Sequence, residues 1–158
     1  MRVLKGLLAI TAVACIPMAA MPSLAEGDLN AQTKKNLEAA MHGEAFAHLK
    51  YTAYAEHARK SGQPEIAKLF DEAANVEANE HFAREADALK LAGTDEANLL
   101  DGMAGEHYEN TKMYVEFAQQ ADAAGDKKVA DLFRQIAADE GDHYEAYKAA
   151  VEKLRAGK

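Results

Sequence analysis

Three short breaks cut the chain beyond residue 30 into four stretches of helical pattern, and no strand pattern competes with them. The first break is Lys60-Ser61-Gly62-Gln63-Pro64, where Gly62 can take the left-handed conformation that closes a helix and Pro64 suits a first helical turn. The second is Ala92-Gly93-Thr94-Asp95, with Thr94 or Asp95 as N-cap, and the third is Ala124-Gly125-Asp126, with Asp126 as N-cap. Between the breaks, apolar residues recur at helical spacing: Leu37, Met41, Tyr51 and Ala55, then Ile66, Phe70 and Ala73, then Leu99, Met103, Met113 and Phe117, and last Val129, Phe133, Ile136, Tyr147, Val151 and Leu154. Only 3 prolines in 158 residues, with much Ala, Glu, Leu and Lys, agree with helix throughout. The expected fold is all-α, a bundle of four helices of roughly 25 to 30 residues each.

The last helix carries Glu140-Gly141-Asp142-His143. Positions three apart lie one turn apart on one face, so Glu140 and His143 interrupt the apolar stripe with groups that are costly to bury alone. A metal ion removes that cost. In four-helix bundles, a Glu on each of two helices and a Glu-x-x-His on each of the other two hold a carboxylate-bridged di-iron site. Each remaining helix offers its share near mid-length: Glu44 on the first, Glu77 with Glu80 or His81 on the second, Glu106 with Glu109 on the third. The two halves also repeat. Gly43-Glu44 matches Gly105-Glu106, residues 66–70 echo residues 129–133, and Gly62 precedes Glu77 by the spacing at which Gly125 precedes Glu140. Oxygen donors with a few imidazoles suit iron, manganese or a mixed pair, and two ions are expected.

The N-terminus reads as a separate object. Arg2 and Lys5 precede an apolar run from Gly6 to Ile16, Pro17 and Pro22 break helix, and Ser23-Leu24-Ala25 has the small-x-small pattern of a leader cleavage site. Met1 to Ala25 is therefore expected to be a secretory signal, with the mature chain running from Glu26 to Lys158 in the periplasm or another exported location. The apolar run is shorter than the roughly 20 residues a membrane span needs. Cleavage removes two basic residues and no acidic one, so the formal charge goes from −8 to −10. It also removes Cys15, the only cysteine, which excludes a disulfide, a thiolate-held metal and a catalytic thiol from the mature chain. Basic residues are scattered and outnumbered, so no nucleic-acid partner is expected.

Ala104-Gly105-Glu106-His107-Tyr108-Glu109, with Met113-Tyr114 and Phe117-Ala118, resembles the third helix of rubrerythrins. Asn36-Leu37-Glu38-Ala39-Ala40, followed by Gly43-Glu44 and Tyr51, resembles their first helix. The resemblance runs from about Thr33 to Leu154. It implies a ferritin-like di-iron bundle that reduces hydrogen peroxide to water. It also implies Glu44, Glu77, Glu106 and Glu140 as terminal and bridging carboxylates, Glu109 as the extra carboxylate of the family, and His143 as an imidazole ligand. Tyr51 and Tyr114 fall where the family has tyrosines hydrogen-bonded to ligand carboxylates. Family members usually carry Glu-x-x-His on the second helix. Here that histidine position holds Glu80, and His81 follows one residue later, so both stand as candidates. The rubredoxin module that many rubrerythrins append has no counterpart, and an external electron-donor protein is expected. The alternative to a peroxidase is a ferroxidase or iron-binding protein of ferritin type, with dioxygen as oxidant.

The second break sets the topology. In ferritin-like bundles the second and third helices run parallel, so their connection travels the length of the bundle. A helix of about 28 residues spans roughly 42 Å, and four extended residues cover at most about 14 Å. Either the chain folds up-down-up-down, or two chains exchange helical hairpins so that each site takes two helices from each. The expectation is the exchanged homodimer.

Overall fold

A computed structural model describes residues 29–157, and the leader expected at 1–25 lies outside them. Helix α1 is Ala31–Lys60, capped by Asn30, whose side chain accepts from the Gln32 N–H at 2.8 Å. Helix α2, Pro64–Val76, runs without interruption through a π turn, Glu77–Phe82, into α3, Ala83–Leu89. Helix α4, Asp95–Tyr108, likewise passes through a π turn, Glu109–Met113, into α5, Tyr114–Ala124. Helix α6 is Lys127–Ala156. The described residues therefore make four helical rods, separated at the three expected breaks, and no described helix is long and apolar enough to cross a membrane.

The breaks work as their residues dictate. Gly62 and Gly125 sit at φ +73° and +88°, the left-handed region that costs an L-residue about 1–2 kcal/mol. Replacing Gly125 by Ala is accordingly expected to lower stability by about 1–2 kcal/mol in a urea melt. Lys90 closes the second rod at φ 53°, and Thr94 Oγ1 accepts from the Ala97 N–H to open the third. Asp126 occupies the N-cap position of α6 but makes no side-chain capping bond. The Asp122 carboxylate instead binds the Lys127 ammonium and Arg134, which hold it below the usual carboxylate range. Arg59 and Asp71, the counterparts of Asp122 and Arg134 in the repeat, make the same bridge with the signs reversed.

The rods pair as two antiparallel hairpins. One is α1 against α2, the first π turn and α3, and the other is α4, the second π turn and α5 against α6. No element of one hairpin has a Cα within 8 Å of an element of the other. Within each hairpin the buried seam is lined with small residues: Ala55, Ala67 and Ala74 in the first, Ala118, Ala130 and Ala137 at the matching places in the second. Beside each seam stands an aromatic trio, Tyr51, Tyr54 and Phe70, mirrored by Tyr114, Phe117 and Phe133. Larger apolar side chains stay exposed in matched pairs, Ile66 with Val129 and Leu69 with Leu132.

Candidate metal centre

Each hairpin brings together one carboxylate from its first rod with a carboxylate and a histidine from its second. In the first hairpin these are Glu44, Glu77 and His81, and in the second Glu106, Glu140 and His143. Within each set, one ligand atom from every residue lies within 4.8 Å of the others. His81 Nδ1 is 2.7 Å from Glu77 Oε2 and 3.8 Å from Glu44 Oε2. His143 Nδ1 is 2.7 Å from Glu140 Oε2 and 3.8 Å from Glu106 Oε2. The two geometries coincide although the histidine follows its carboxylate by four residues in one and by three in the other.

The π turn reconciles the two spacings. A π turn closes over one residue more than an α turn, so Glu77–Phe82 takes up one extra residue and brings His81 onto the face that His143 occupies in the unbroken α6. The internal repeat records this. Glu77 and Glu140 are 63 positions apart, and His81 and His143 are 62. The second π turn does the same in the third rod, where Glu44 and Glu106 are 62 apart but Tyr51 and Tyr114 are 63. Each change of offset falls on a π turn.

The other sequence candidates lie around these clusters. Glu80 points away and pairs with Arg84 at 3.1 Å, half-exposed. Glu109 opens the second π turn outside the three-residue set, yet its charge acts on both Glu106 and Tyr114. Burial, followed by the charges of Glu109, Glu140 and Glu106, raises the pKa of Tyr114 above its ordinary value. Among the described residues no hydrogen bond joins the Tyr51 or Tyr114 hydroxyl to a cluster carboxylate; each ring packs in its aromatic trio.

The clusters suit a cation. A hydrogen bond that protonated Glu44 donates to Glu77, then burial, raises the pKa of Glu44, and burial, then a hydrogen bond donated to Glu140, raises that of Glu106. The hydrogen bond to Glu140 raises that of His143. Crowded carboxylates that hold protons this way are relieved by a cation. Glu85 adds a buried oxygen, Oε2, with no hydrogen-bond partner, and its charge also bears on Glu44. Oxygen donors with one imidazole per cluster fit iron or manganese.

Two polar residues that fall on the same helical faces in the sequence, where they carried no assigned role, lie one turn from the clusters. His48 Nδ1 donates to the Ala74 carbonyl at 2.8 Å, and Asn110 Nδ2 donates to the Ala137 carbonyl at 2.6 Å. Their common position, four residues after Gly-Glu, was the available signal.

All-helical hairpins that carry paired glutamates and a histidine at mid-length define the class of ferritin-like carboxylate metalloproteins. The rubrerythrin family model matches residues 35–151. The chain is 34% identical over 137 residues to nigerythrin of Nitratidesulfovibrio vulgaris, covering 78% of this chain and 68% of that one. It is 35% identical over 139 residues to rubrerythrin of Porphyromonas gingivalis, covering 80% and 69%. A solved mixed-valence structure of nigerythrin aligns at a TM-score of 0.41 with 33% identity, covering 84% of this chain and 72% of that one. The chain belongs to the rubrerythrin family, whose members are di-iron oxidoreductases.

Proposed function

We propose that this chain is an exported di-iron peroxidase that reduces hydrogen peroxide to water with electrons from a separate donor protein. The observation that carries the reading is the matched pair of Glu–Glu–His clusters, one in each hairpin, with the same internal distances. Face to face, they supply four glutamates and two histidines, a ligand set for two ions, with Glu109 as a further carboxylate beside them. Iron is the expected metal, and manganese or a mixed pair meets the same donors. When bound, the two ions supply the electron pair that reduces the oxygen–oxygen bond. Each peroxide takes up two electrons and two protons and leaves as two waters.

The protein's own part is to hold ligands and protons in place. The raised pKa values of Glu44 and Glu106 mean that protons compete with a cation for these two carboxylates more than at an ordinary glutamate. Tyr114 keeps its hydroxyl proton and is a hydrogen-bond donor beside Glu109 and Glu106. Export rests on the leader pattern of Met1 to Ala25.

The complete centre needs both hairpins, and the reading assembles it from two chains. The first hairpin of one chain meets the second hairpin of its partner, giving a domain-swapped homodimer with two centres. This is supported by the short link between Leu89 and Asp95, the lack of contact between a chain's own hairpins, and the matched apolar residues left uncovered.

Rapid mixing tests the chemistry. Mature chain loaded anaerobically with ferrous iron is expected to oxidise much faster with hydrogen peroxide than with dioxygen, followed by the absorption of the oxidised pair. Faster oxidation by dioxygen moves the assignment to a ferroxidase. Failure to take up iron removes both.

A further inference from the structure

We propose that His48 and Asn110 are positioning residues that set the register of the two carboxylate-bearing helices in each hairpin. The inference rests on the reading of the Glu–Glu–His clusters as metal sites. His48 lies four residues after Glu44, and the carbonyl it binds belongs to Ala74, three residues before Glu77. Asn110 lies four residues after Glu106, and its carbonyl belongs to Ala137, three before Glu140. In antiparallel helices those steps reach the same level. Each bond therefore crosses the hairpin one turn from its carboxylate pair, at equivalent places in the repeat and through different chemistry.

A specific bond is needed there because the seam is smooth. Ala74 and Ala137 are 5% and 8% exposed, and alanine offers neither length nor branching to interlock two helices. Sliding one rod along the other would separate Glu44 from Glu77, or Glu106 from Glu140, and the alanines at that level do not resist it. The carbonyl of a helix has a second lone pair after its own helical bond, and the side chain from the opposite rod takes it. A carbonyl only accepts, so His48 carries its hydrogen on Nδ1, and the bond persists whether the ring is neutral or protonated. In the second hairpin the space is reserved by Gly141. A Cβ at that position would meet Asn110 Nδ2 at 2.9 Å.

Cobalt(II) titration against a competing chelator tests this on the mature chain, alongside thermal melts of the metal-free form. His48→Ala and Asn110→Ala are each expected to weaken cobalt binding about ten-fold, the scale of outer-sphere effects on metal sites. His48→Asn, which substitutes the amide that the second hairpin already uses, is expected to restore wild-type affinity. Gly141→Ala is expected to weaken binding as Asn110→Ala does, although alanine favours helix over glycine. Because it removes no side chain, it separates loss of position from loss of fold. Wild-type affinity in either alanine variant at 48 or 110, or an H48N chain as weak as H48A, overturns the proposal while leaving the metal reading intact. A wild-type chain that takes up no cobalt overturns the metal reading, and this one with it.

Discussion

Chains carrying Glu44→Ala, refolded together with chains carrying Glu106→Ala, are expected to regain about a quarter of the wild-type metal sites. Each variant alone is expected to have none, because every centre then lacks one of its four glutamates. In a mixed dimer built by hairpin exchange, one centre takes the first hairpin of the Glu106→Ala chain and the second hairpin of the Glu44→Ala chain. Both are intact, and that centre is wild type; the other centre carries both lesions. Random pairing makes about half the dimers mixed, with one good centre in each. A bundle closed within one chain never regains a site, whatever the mixture. Iron content and peroxide reduction, measured on the mixture and on each variant, separate the two architectures in one experiment.

The second large effect concerns the π turn at Glu77–Phe82. His81→Ala is expected to weaken metal binding on the order of a hundred-fold or more, as loss of a ligand exceeds the outer-sphere scale. Glu80→Ala is expected to leave it nearly unchanged, since Glu80 is turned toward Arg84. Deletion of Asn79 is the sharper test. It leaves Glu77-Ala78-Glu80-His81, with the histidine three residues after the glutamate as in Glu140–His143. If the π turn takes up a single extra residue, the helix relaxes to regular α, His81 keeps its place, and metal binding survives. Deleting Ala73 from the regular helix rotates everything after it by about 100° relative to what precedes, and is expected to abolish binding. Loss of binding on removing Asn79, measured by cobalt titration, would show that the extra residue is not what the π turn absorbs.

Much of this fold was legible because helical periodicity and turn chemistry are local. Gly62, Pro64, Thr94 and Gly125 ended and began helices where their backbone preferences require. Glu44, Glu77, Glu106, Glu140 and His143 stood out as polar groups in apolar stripes, and the structure gathers them in two sets. The second-helix histidine was not legible in the same way. Regular α geometry puts Glu80 on the cluster face, and a π turn has no strong residue signature. The trace it leaves is in the repeat, where the offset between equivalent residues steps from 63 to 62 between Glu77 and His81. Hydrogen bonds such as those of His48 and Asn110 depend on how close two rods approach, which follows from the alanine seam and not from either residue alone.

The composition of that seam bears on how the protein comes to be folded at all. Among the described residues no large side chain is fully buried, while Ile66, Leu69, Val129 and Leu132 remain 43–64% exposed. A hairpin of this kind gains little by forming alone, because burial of large apolar groups supplies most of the driving force for folding. If the proposed exchange closes the bundle, acquisition of native structure becomes an encounter between molecules. Its rate law is then second order in chain, and ten-fold dilution slows refolding about ten-fold per molecule where the encounter limits the rate. In that case the midpoint of thermal unfolding is likewise expected to rise with protein concentration.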